Sequence, residues 1–248
     1  MNELFGETRD VIKARYALRT PAGFVPGWLP GWKDAVCVTQ ISPGMGANLC
    51  QVQVTLGAAG AGHGNTGGAE WVIYVLAGNC QADLGGRPHA LTAGDYIYLP
   101  SEADYRFSDP AAGTQFLIFQ KQFEPLAGYE KPGVIVGRAQ DVPGQPFMGN
   151  DAARLQVLLP DQPEFDVAVN IFTYQPGATL PFVESHIMEH GLLMLTGQGI
   201  YRLDSDWHPV KAGDVIWMAP YCPQWFVAMG RVPASYIYYK DVNRAPRL

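Results

Sequence analysis

The sequence lacks the features that mark secreted, membrane-spanning and nucleic-acid-binding proteins. Its 248 residues contain no run of about 18 apolar residues, so no membrane-spanning helix is expected. The N-terminus carries acidic residues and no apolar core, which argues against a signal peptide and predicts a cytoplasmic protein. The formal net charge of −6 argues against nucleic acid as a partner, because binding it requires a basic surface that displaces counterions.

Cysteine is scarce and scattered. Cys37, Cys50, Cys80 and Cys222 include no C-x-x-C pair, so we expect reduced thiols and no disulfide framework. A chain of this length can bury hydrophobic cores without such cross-links. We assign no catalytic role to Cys222, although it lies near a motif described below.

Helical periodicity is almost absent as well. From about Val36 onward, short β-type runs alternate with Gly, Pro and Asp, a pattern typical of antiparallel sandwiches and barrels. The first 35 residues are rich in proline and glycine, so we expect an irregular arm that wraps the edge of the first domain or meets a partner subunit. Farther along, residues 151–159 predict one strand or a short turn of helix.

What the sequence does contain is an internal repeat with a constant shift of 119 positions. Residues 89–98 recur as residues 208–217, and Val75–Gly78 recurs as Met194–Gly197 without a gap. Such self-similarity indicates two tandem copies of one structural unit. The pattern therefore predicts an all-β protein of two barrels. The predicted division is an N-terminal domain at 1–125, a connector at 126–163 and a C-terminal domain at 164–248.

One cluster in the second copy has the composition of a metal site. Glu184, His186 and His190 form an E-x-H-x3-H pattern, in which residues two apart along a strand face the same side. His190 keeps this parity and can face the same interior after a short turn. Gln224, which follows the repeated turn at Gly213, adds a neutral carbonyl oxygen. This mixed set suits a first-row divalent metal and favours manganese, with iron and zinc as alternatives.

The first copy provides an internal control, because its aligned positions cannot rebuild this set. The aligned pairs are Glu184 with Asn65, His186 with Gly67, His190 with Trp71, and Gln224 with Tyr105. Tryptophan and glycine side chains do not bind metals, and His63 and Glu70 do not complete a set. We therefore expect the first barrel to be metal-free and structural. His89 and His208 are equivalent in the two copies, and we expect them to serve a turn that both copies share.

A second polar group lies on the last predicted strand. Tyr236, Tyr238 and Lys240 share one face by the period of two, and an inward lysine requires an anion as its partner. The pair of Tyr236 and Lys240 suits a substrate carboxylate, whereas the alternative is an outward, solvated face. Tyr201 is a further polar residue of the second copy. At the same shift, the positions of Tyr236, Lys240 and Tyr201 are occupied in the first copy by Leu117, Lys121 and Ala82.

The two motif pairs resemble those of the cupins, in which ligands from two short motifs lie inside a small β-barrel. Glu184 replaces the usual first histidine, His190 the usual glutamate, and Gln224 the usual last histidine. This rearranged set, in a two-barrel chain of this length, resembles the bicupin family of (S)-ureidoglycine aminohydrolases. The resemblance covers most of the chain and is strongest between residues 165 and 244.

The resemblance implies two tandem jelly-roll barrels and an enzyme of allantoin and purine breakdown. Its reaction would be the Mn²⁺-dependent hydrolysis of (S)-ureidoglycine to (S)-ureidoglycolate and ammonia. The implied metal ligands are Glu184, His186, His190 and Gln224. The implied substrate-binding residues are Glu184, Tyr236 and Lys240, and Tyr201 would lie beside the reacting centre. Glu184 and Tyr201 are the candidates for the catalytic acid or base.

Two other functions are compatible with the residues. One is another metal-dependent cupin enzyme, a dioxygenase or an isomerase, acting on a small keto or hydroxy acid. The other is a non-catalytic bicupin binding protein, although the selective retention of ligands in the second copy argues against it. The apolar, proline-rich N-terminus and exposed β edges also predict a homo-oligomer.

Overall fold

The computed structural model describes residues 8–245, and their regular structure is almost entirely antiparallel β-sheet. This confirms the all-β class predicted from the short apolar runs. Within that range, short 3-10 helices occur at Pro21–Gly23, Pro43–Met45 and Ala139–Asp141. No helix among the described residues has the length and apolar character needed to span a bilayer. Most of the N-terminal segment on which the signal-peptide prediction rests, residues 1–7, lies outside the described range.

The strands are named in chain order. Those of the first half are β1 (Val11–Ile12), β2 (Tyr16–Arg19), β3 (Trp32–Ile41), β4 (Leu49–Asn65), β5 (Ala69–Ala77), β6 (Asn79–Leu84), β7 (Arg87–Thr92), β8 (Asp95–Leu99), β9 (Asp104–Ser108) and β10 (Gln115–Gln122). Those of the second half are β11 (Ile135–Arg138), β12 (Gln145–Phe147), β13 (Asn150–Val157), β14 (Val167–Tyr174), β15 (His190–Thr196), β16 (Gln198–Leu203), β17 (Asp206–Lys211), β18 (Val215–Met218), β19 (Gln224–Ala228) and β20 (Ala234–Asp241). The stretch 151–159, predicted as either strand or helical turn, therefore contributes to a strand, β13.

The strands form two barrels, as the repeat predicted. In the first barrel the strand order is β11-β8-β5-β10-β4-β9-β6-β7, with β3 also paired to β4. In the second barrel one sheet has the order β1-β2-β18-β15-β20-β14-β13-β12, and the other has β17-β16-β19. The long strand β4 pairs with both β10 and β9. In the second barrel the strand that corresponds to the first part of β4 is β14, which ends at Tyr174. Residues 175–189 then continue as an irregular segment with isolated bridges.

The repeated Ala-Gly-Asp sequence forms the same turn in both barrels. Gly94 and Gly213 have φ angles of +92° and +91°, in the left-handed region that favours glycine. The carboxylates of Asp95 and Asp214 each accept the backbone N–H three residues earlier, at 2.8 and 2.9 Å. The shared Ala-Gly-Asp sequence is therefore explained by the geometry of the turn and gives no information about the reaction.

The beginning of the N-terminal arm packs on the second barrel, whereas residues 27–35 lie against the first barrel, so the expectation that the arm wraps the first domain holds only for its last part. Strand β2 pairs with β18, and Arg9 bonds both oxygens of buried Asp214 at 2.7 and 2.8 Å. The first barrel receives the equivalent strand from the connector, because β11 pairs with β8 and Arg138 lies 3.2 Å from Asp95. Each added strand covers an edge whose backbone groups would otherwise be unpaired. The boundaries at 125 and 163 remain predictions.

Apolar side chains form one cluster inside each barrel and a third cluster between the barrels. Aromatic rings fill the first barrel where the second barrel is polar. There, the ring centroids of Trp71 and Tyr105 lie 4.8 Å apart, at the positions aligned with His190 and Gln224. The alternation along β20 sends Tyr238 into the second barrel and Tyr239 into the cluster between the barrels.

Candidate active site in the second barrel

The four side chains predicted as metal ligands come from three separate pieces of backbone. Glu184 and His186 lie on the irregular segment before β15, where Glu184 and Gln224 exchange backbone hydrogen bonds of 2.9 Å. The His186 carbonyl accepts the Tyr221 N–H at 2.6 Å. His190 opens β15 and Gln224 opens β19. Strand pairing and these isolated bridges, rather than one continuous strand, bring the four side chains together.

The donor atoms of this group converge on the imidazole of His186. Its Nε2 lies 3.2 Å from His190 Nε2, 3.1 Å from Gln224 Nε2 and 3.9 Å from Glu184 Oε2. Among residues 8–245, no group of three or more His, Cys, Asp or Glu side chains lies close enough together to hold a metal ion. The predicted residues are therefore neighbours, and whether they bind an ion is a matter of their chemistry.

Both histidines of the group favour the neutral imidazole form. Burial, followed by the neighbouring His186 ring, lowers the pKa of His190 to about 3. Burial, helped by the charge of Lys240, also lowers the pKa of His186. His190 Nδ1 lies 3.1 Å from the Tyr239 carbonyl, to which only a protonated Nδ1 can donate. The His190 Nε2 lone pair consequently points toward His186 and the centre of the group.

Lys240 and Tyr236 face the same interior, so the outward alternative for this strand face is wrong. Both line the cavity that also holds Glu184 and the two histidines. The Tyr236 hydroxyl lies 3.1 Å from the Tyr174 hydroxyl. Lys240 is partly buried and, among the described residues, has no hydrogen-bond or ion-pair partner. Burial raises the pKa of Glu184, and the charge of Lys240 partly offsets this rise.

Tyr201 is the third predicted polar addition, and it also reaches the cavity. It lies on β16 directly across from Phe226 of β19, and its hydroxyl donates to Gln224 Oε1 at 3.2 Å. The aligned Ala82 has the same place opposite Phe107 in the first barrel, which carries no hydroxyl there. Burial raises the pKa of Tyr201, so its side chain remains a protonated phenol.

These side chains enclose a cavity of about 160 Å³ inside the second barrel. Its wall is apolar except at the groups described above and at Tyr238. The lining residues are Phe147, Leu155, Phe172, Leu180, Glu184, His186, Met188, His190, Leu192, Tyr201, Met218, Gln224, Tyr236, Tyr238 and Lys240. A small, mostly apolar cavity with a few convergent polar groups is the usual form of a small-molecule site.

Comparison with known proteins identifies the family. The cupin domain model matches residues 170–239. The (S)-ureidoglycine aminohydrolase of Escherichia coli is 34% identical, with 98% of this chain and 97% of that protein covered. The chain belongs to the (S)-ureidoglycine aminohydrolase family. The Arabidopsis thaliana (S)-ureidoglycine aminohydrolase is likewise 34% identical, over 99% of this chain and 82% of that protein. The crystal structure of the E. coli protein Ylba has a TM-score of 0.87 at 33% identity, covering 97% of both chains.

Membership in the (S)-ureidoglycine aminohydrolase family confirms the resemblance drawn from the motifs and makes the chain an enzyme, an aminohydrolase.

In this family member the strand pairing also corrects the alignment of the two copies. Phe116 pairs with Val75 as Tyr236 pairs with Met194, so Phe116 and not Leu117 is the counterpart of Tyr236. The second copy has one more residue before its last strand, and a slip of one residue reverses the facing of every side chain.

The same slip changes the comparison of the lysines. Trp71 pairs with Gln120 and His190 with Lys240, so the counterpart of Lys240 is Gln120. The predicted match of Lys240 with Lys121 is wrong, and the inward lysine is a feature of the second barrel. A second slip places Gly64, rather than Asn65, opposite Tyr105, just as Glu184 lies opposite Gln224.

The remaining histidines and the cysteines lie outside the site. His208 is on β17, where its Nε2 lies 3.1 Å from the Tyr16 hydroxyl of the arm, and His89 is on β7. Neither serves the shared turn, because both are in the strands that precede it. All four cysteines are free, and burial raises the pKa of Cys222.

Tyr238 shares the inward face with Tyr236 and Lys240, as the period of two predicts, although the sequence assigned it no role. A further residue near the site, Tyr174, was not predicted. Tyr174 bonds Tyr236 from the neighbouring strand β14, 62 positions away, and no local pattern marks it.

Proposed function

We propose that this chain hydrolyses (S)-ureidoglycine to (S)-ureidoglycolate and ammonia and that it requires a divalent metal, manganese by preference. One observation carries the proposal: four side chains that could bind a metal, and that the first copy does not rebuild at its aligned positions, converge in the second barrel. There the Nε2 atoms of His186 and His190 lie 3.2 Å apart, beside Glu184 and Gln224, in a cavity that also contains Lys240. Family membership supports the choice of substrate.

The donor set fits a hard or borderline first-row cation. Two neutral imidazoles, one carboxylate and one amide oxygen supply nitrogen and oxygen donors without a thiolate. The Tyr239 carbonyl fixes the tautomer of His190 in the manner common for metal-binding histidines. Gln224 would present its oxygen after a half-turn of its amide group, and the Tyr201 hydroxyl would then accept from the amide nitrogen. Iron and zinc are the alternatives to manganese.

Within this site, a bound cation would anchor the substrate and withdraw electron density from it. Lys240 and Tyr236 are placed to hold the substrate carboxylate by charge-assisted hydrogen bonds. Lys240 is suited to this role because it is partly buried and no carboxylate among residues 8–245 is bound to it. The apolar wall fixes the orientation of the bound substrate and limits the number of competing waters.

The remaining residues would transfer protons. The substrate carbon bears an amine and a ureido group, and once the amine is protonated the ureido nitrogen lone pair can expel it as ammonia. Water then adds to the resulting imine-like carbon, and the proton it loses must pass to a nearby base. Glu184 is the first candidate because burial raises its pKa toward the range useful for proton transfer. Tyr201, a phenol beside Gln224, is the second candidate.

The experiment is ammonia release from freshly generated ureidoglycine, with and without added manganese, accompanied by product handedness and metal analysis. His190→Ala should lose both bound metal and turnover, because it removes the Nε2 donor. His208→Ala is the matched control, since His208 is partly buried but lies on β17 outside the cavity. A His190→Ala variant with stoichiometric manganese would refute the ligand assignment. Oxygen consumption in place of ammonia release would indicate a different cupin reaction.

The cytoplasmic location and the homo-oligomer expected from the sequence remain proposals. Size-exclusion chromatography with light scattering on the complete chain would test the oligomer.

A further inference from the structure

Tyr238 occupies the inward position between Tyr236 and Lys240 on β20, and the mechanism above gives it no role. Its side chain is 8% exposed and lines the cavity. Its ring meets the edge of the His190 ring with centroids 5.5 Å apart and stacks on Phe172 at 5.8 Å with an interplanar angle of 13°. These contacts on two sides hold the ring in one orientation at the wall of the cavity.

The Tyr238 hydroxyl is bonded in a way that leaves its own proton unused. Asn170, directly across on β14 and 2% exposed, donates from Nδ2 to the Tyr238 oxygen at 3.1 Å. With the Asn170 amide in this orientation, its own Oδ1 is buried without a partner and no group among the described residues accepts the Tyr238 hydrogen. A buried hydroxyl donor without an acceptor is unfavourable, and a ligand that supplies the acceptor recovers that free energy.

The other polar groups of the cavity already have partners or a charge preference. Tyr201 is hydrogen-bonded to Gln224 in either orientation of the Gln224 amide, and Tyr236 is bonded to Tyr174 and faces the place proposed for the substrate carboxylate. Lys240, a cation, prefers the carboxylate of a substrate. The free hydrogen of Tyr238 is therefore the donor suited to an uncharged acceptor oxygen. In a carboxylated ureido compound, the carbonyl of the ureido group is that acceptor.

We propose that Tyr238 is a specificity-determining residue that donates a hydrogen bond to the ureido carbonyl oxygen of the substrate, with Asn170 fixing the direction of its hydroxyl. This assignment rests on the proposed function and deepens it. It explains how the site distinguishes a ureido acid from a similar carboxylate that has no ureido group. A site built to bond such a group rejects ligands that leave the donor unpaired.

The test compares Tyr238→Phe with the unaltered protein, both loaded with manganese. Two stable probes are used in calorimetric binding: N-carbamoylglycine, which carries a carboxylate and a ureido group, and oxalate, which carries carboxylates alone. Tyr238→Phe should weaken N-carbamoylglycine binding about tenfold and raise the KM for ureidoglycine by a similar factor. Oxalate binding and metal content should be unchanged.

Tyr105→Phe is the matched control. It removes a hydroxyl from a buried tyrosine of the first barrel, opposite Gly64 and outside the candidate site. This variant should bind both probes as the unaltered protein does.

Three results would overturn the assignment: unchanged N-carbamoylglycine affinity in Tyr238→Phe, an equal loss for oxalate, or no binding of N-carbamoylglycine by the unaltered protein. Failure of the proposed function would be seen separately, as an absence of ammonia release from ureidoglycine by the unaltered protein. The probe binding would still decide the role of Tyr238 in that case.

Discussion

The ion pair between Lys121 and Asp166 predicts how strongly the two barrels depend on each other. Lys121 is the penultimate residue of β10 in the first barrel, and Asp166 immediately precedes β14 of the second. Both are buried, at 7% and 0% side-chain exposure, and the carboxylate also accepts the Glu124 N–H at 2.9 Å. Replacing Lys121 with Met keeps the volume but leaves Asp166 without its cation in a buried place.

Removing one partner of a buried ion pair typically costs about 3–5 kcal/mol, because the other charge stays desolvated. For a chain of this size that corresponds to a fall in Tm of roughly 6–20 °C. The double variant Lys121→Met with Asp166→Asn should recover at least half of the loss, since it removes the uncompensated charge. The exposed Lys33→Met, on β3 of the same barrel, should cost less than about 0.5 kcal/mol.

The assay is urea unfolding followed by tryptophan fluorescence, with the free energy of unfolding taken from the midpoint and slope. A loss below about 1 kcal/mol in Lys121→Met would contradict the reasoning. So would a double variant that is less stable than the single one. Either result would mean that water or another group compensates Asp166, and that the barrels are held together by their apolar contacts alone.

Two further predictions concern the site and the interface. Tyr236→Phe should raise the KM for ureidoglycine while manganese stays bound, because its hydroxyl contacts Tyr174 and none of the four proposed ligands; metal analysis beside steady-state kinetics checks this, and lost metal would show that the barrel itself was damaged. At the interface, burial, then the hydrogen bond and charge of Asp166, raises the pKa of Glu70 to about 9, with Tyr98 and Lys121 also facing it. Because the folded-state pKa is raised, this stability is complete below the unfolded value near 4.5 and is lost as pH rises through about 9. The Tm should therefore fall between pH 5 and 9, and Glu70→Gln should flatten that slope; an equally steep slope in the variant would refute the assignment.

The repeat and the cluster of residues proposed as metal ligands could be identified from the sequence because both rest on local geometry. The Ala-Gly-Asp turn needs a glycine with a positive φ and an aspartate that accepts a nearby N–H, so its copies are recognisable at a fixed shift. The spacing of Glu184 and His186 likewise follows from the period of a strand, even though the backbone there is irregular. The two-barrel fold and the polar interior of the second barrel followed from these patterns.

The errors of the sequence analysis have one cause: pairing between distant segments leaves no local pattern. A single additional residue before β20 changed the counterparts of Tyr236 and Lys240, because one position reverses the facing of a strand. The hydrogen bond between Tyr174 and Tyr236 could not be predicted from the sequence for the same reason.

The sequence by itself determined that this protein has two β-barrels, and it supplied the side chains of the second barrel that we propose as metal ligands. Tertiary structure alone decided that the arm completes the second barrel and β11 the first, that Lys121 holds Asp166 between the barrels, and that Asn170 bonds Tyr238. Side-chain periods and turn conformations are properties of neighbouring residues and so are encoded locally. The choice of which strand covers which edge depends on the free energy of long-range pairing and burial, and that choice exists only once the barrels have formed.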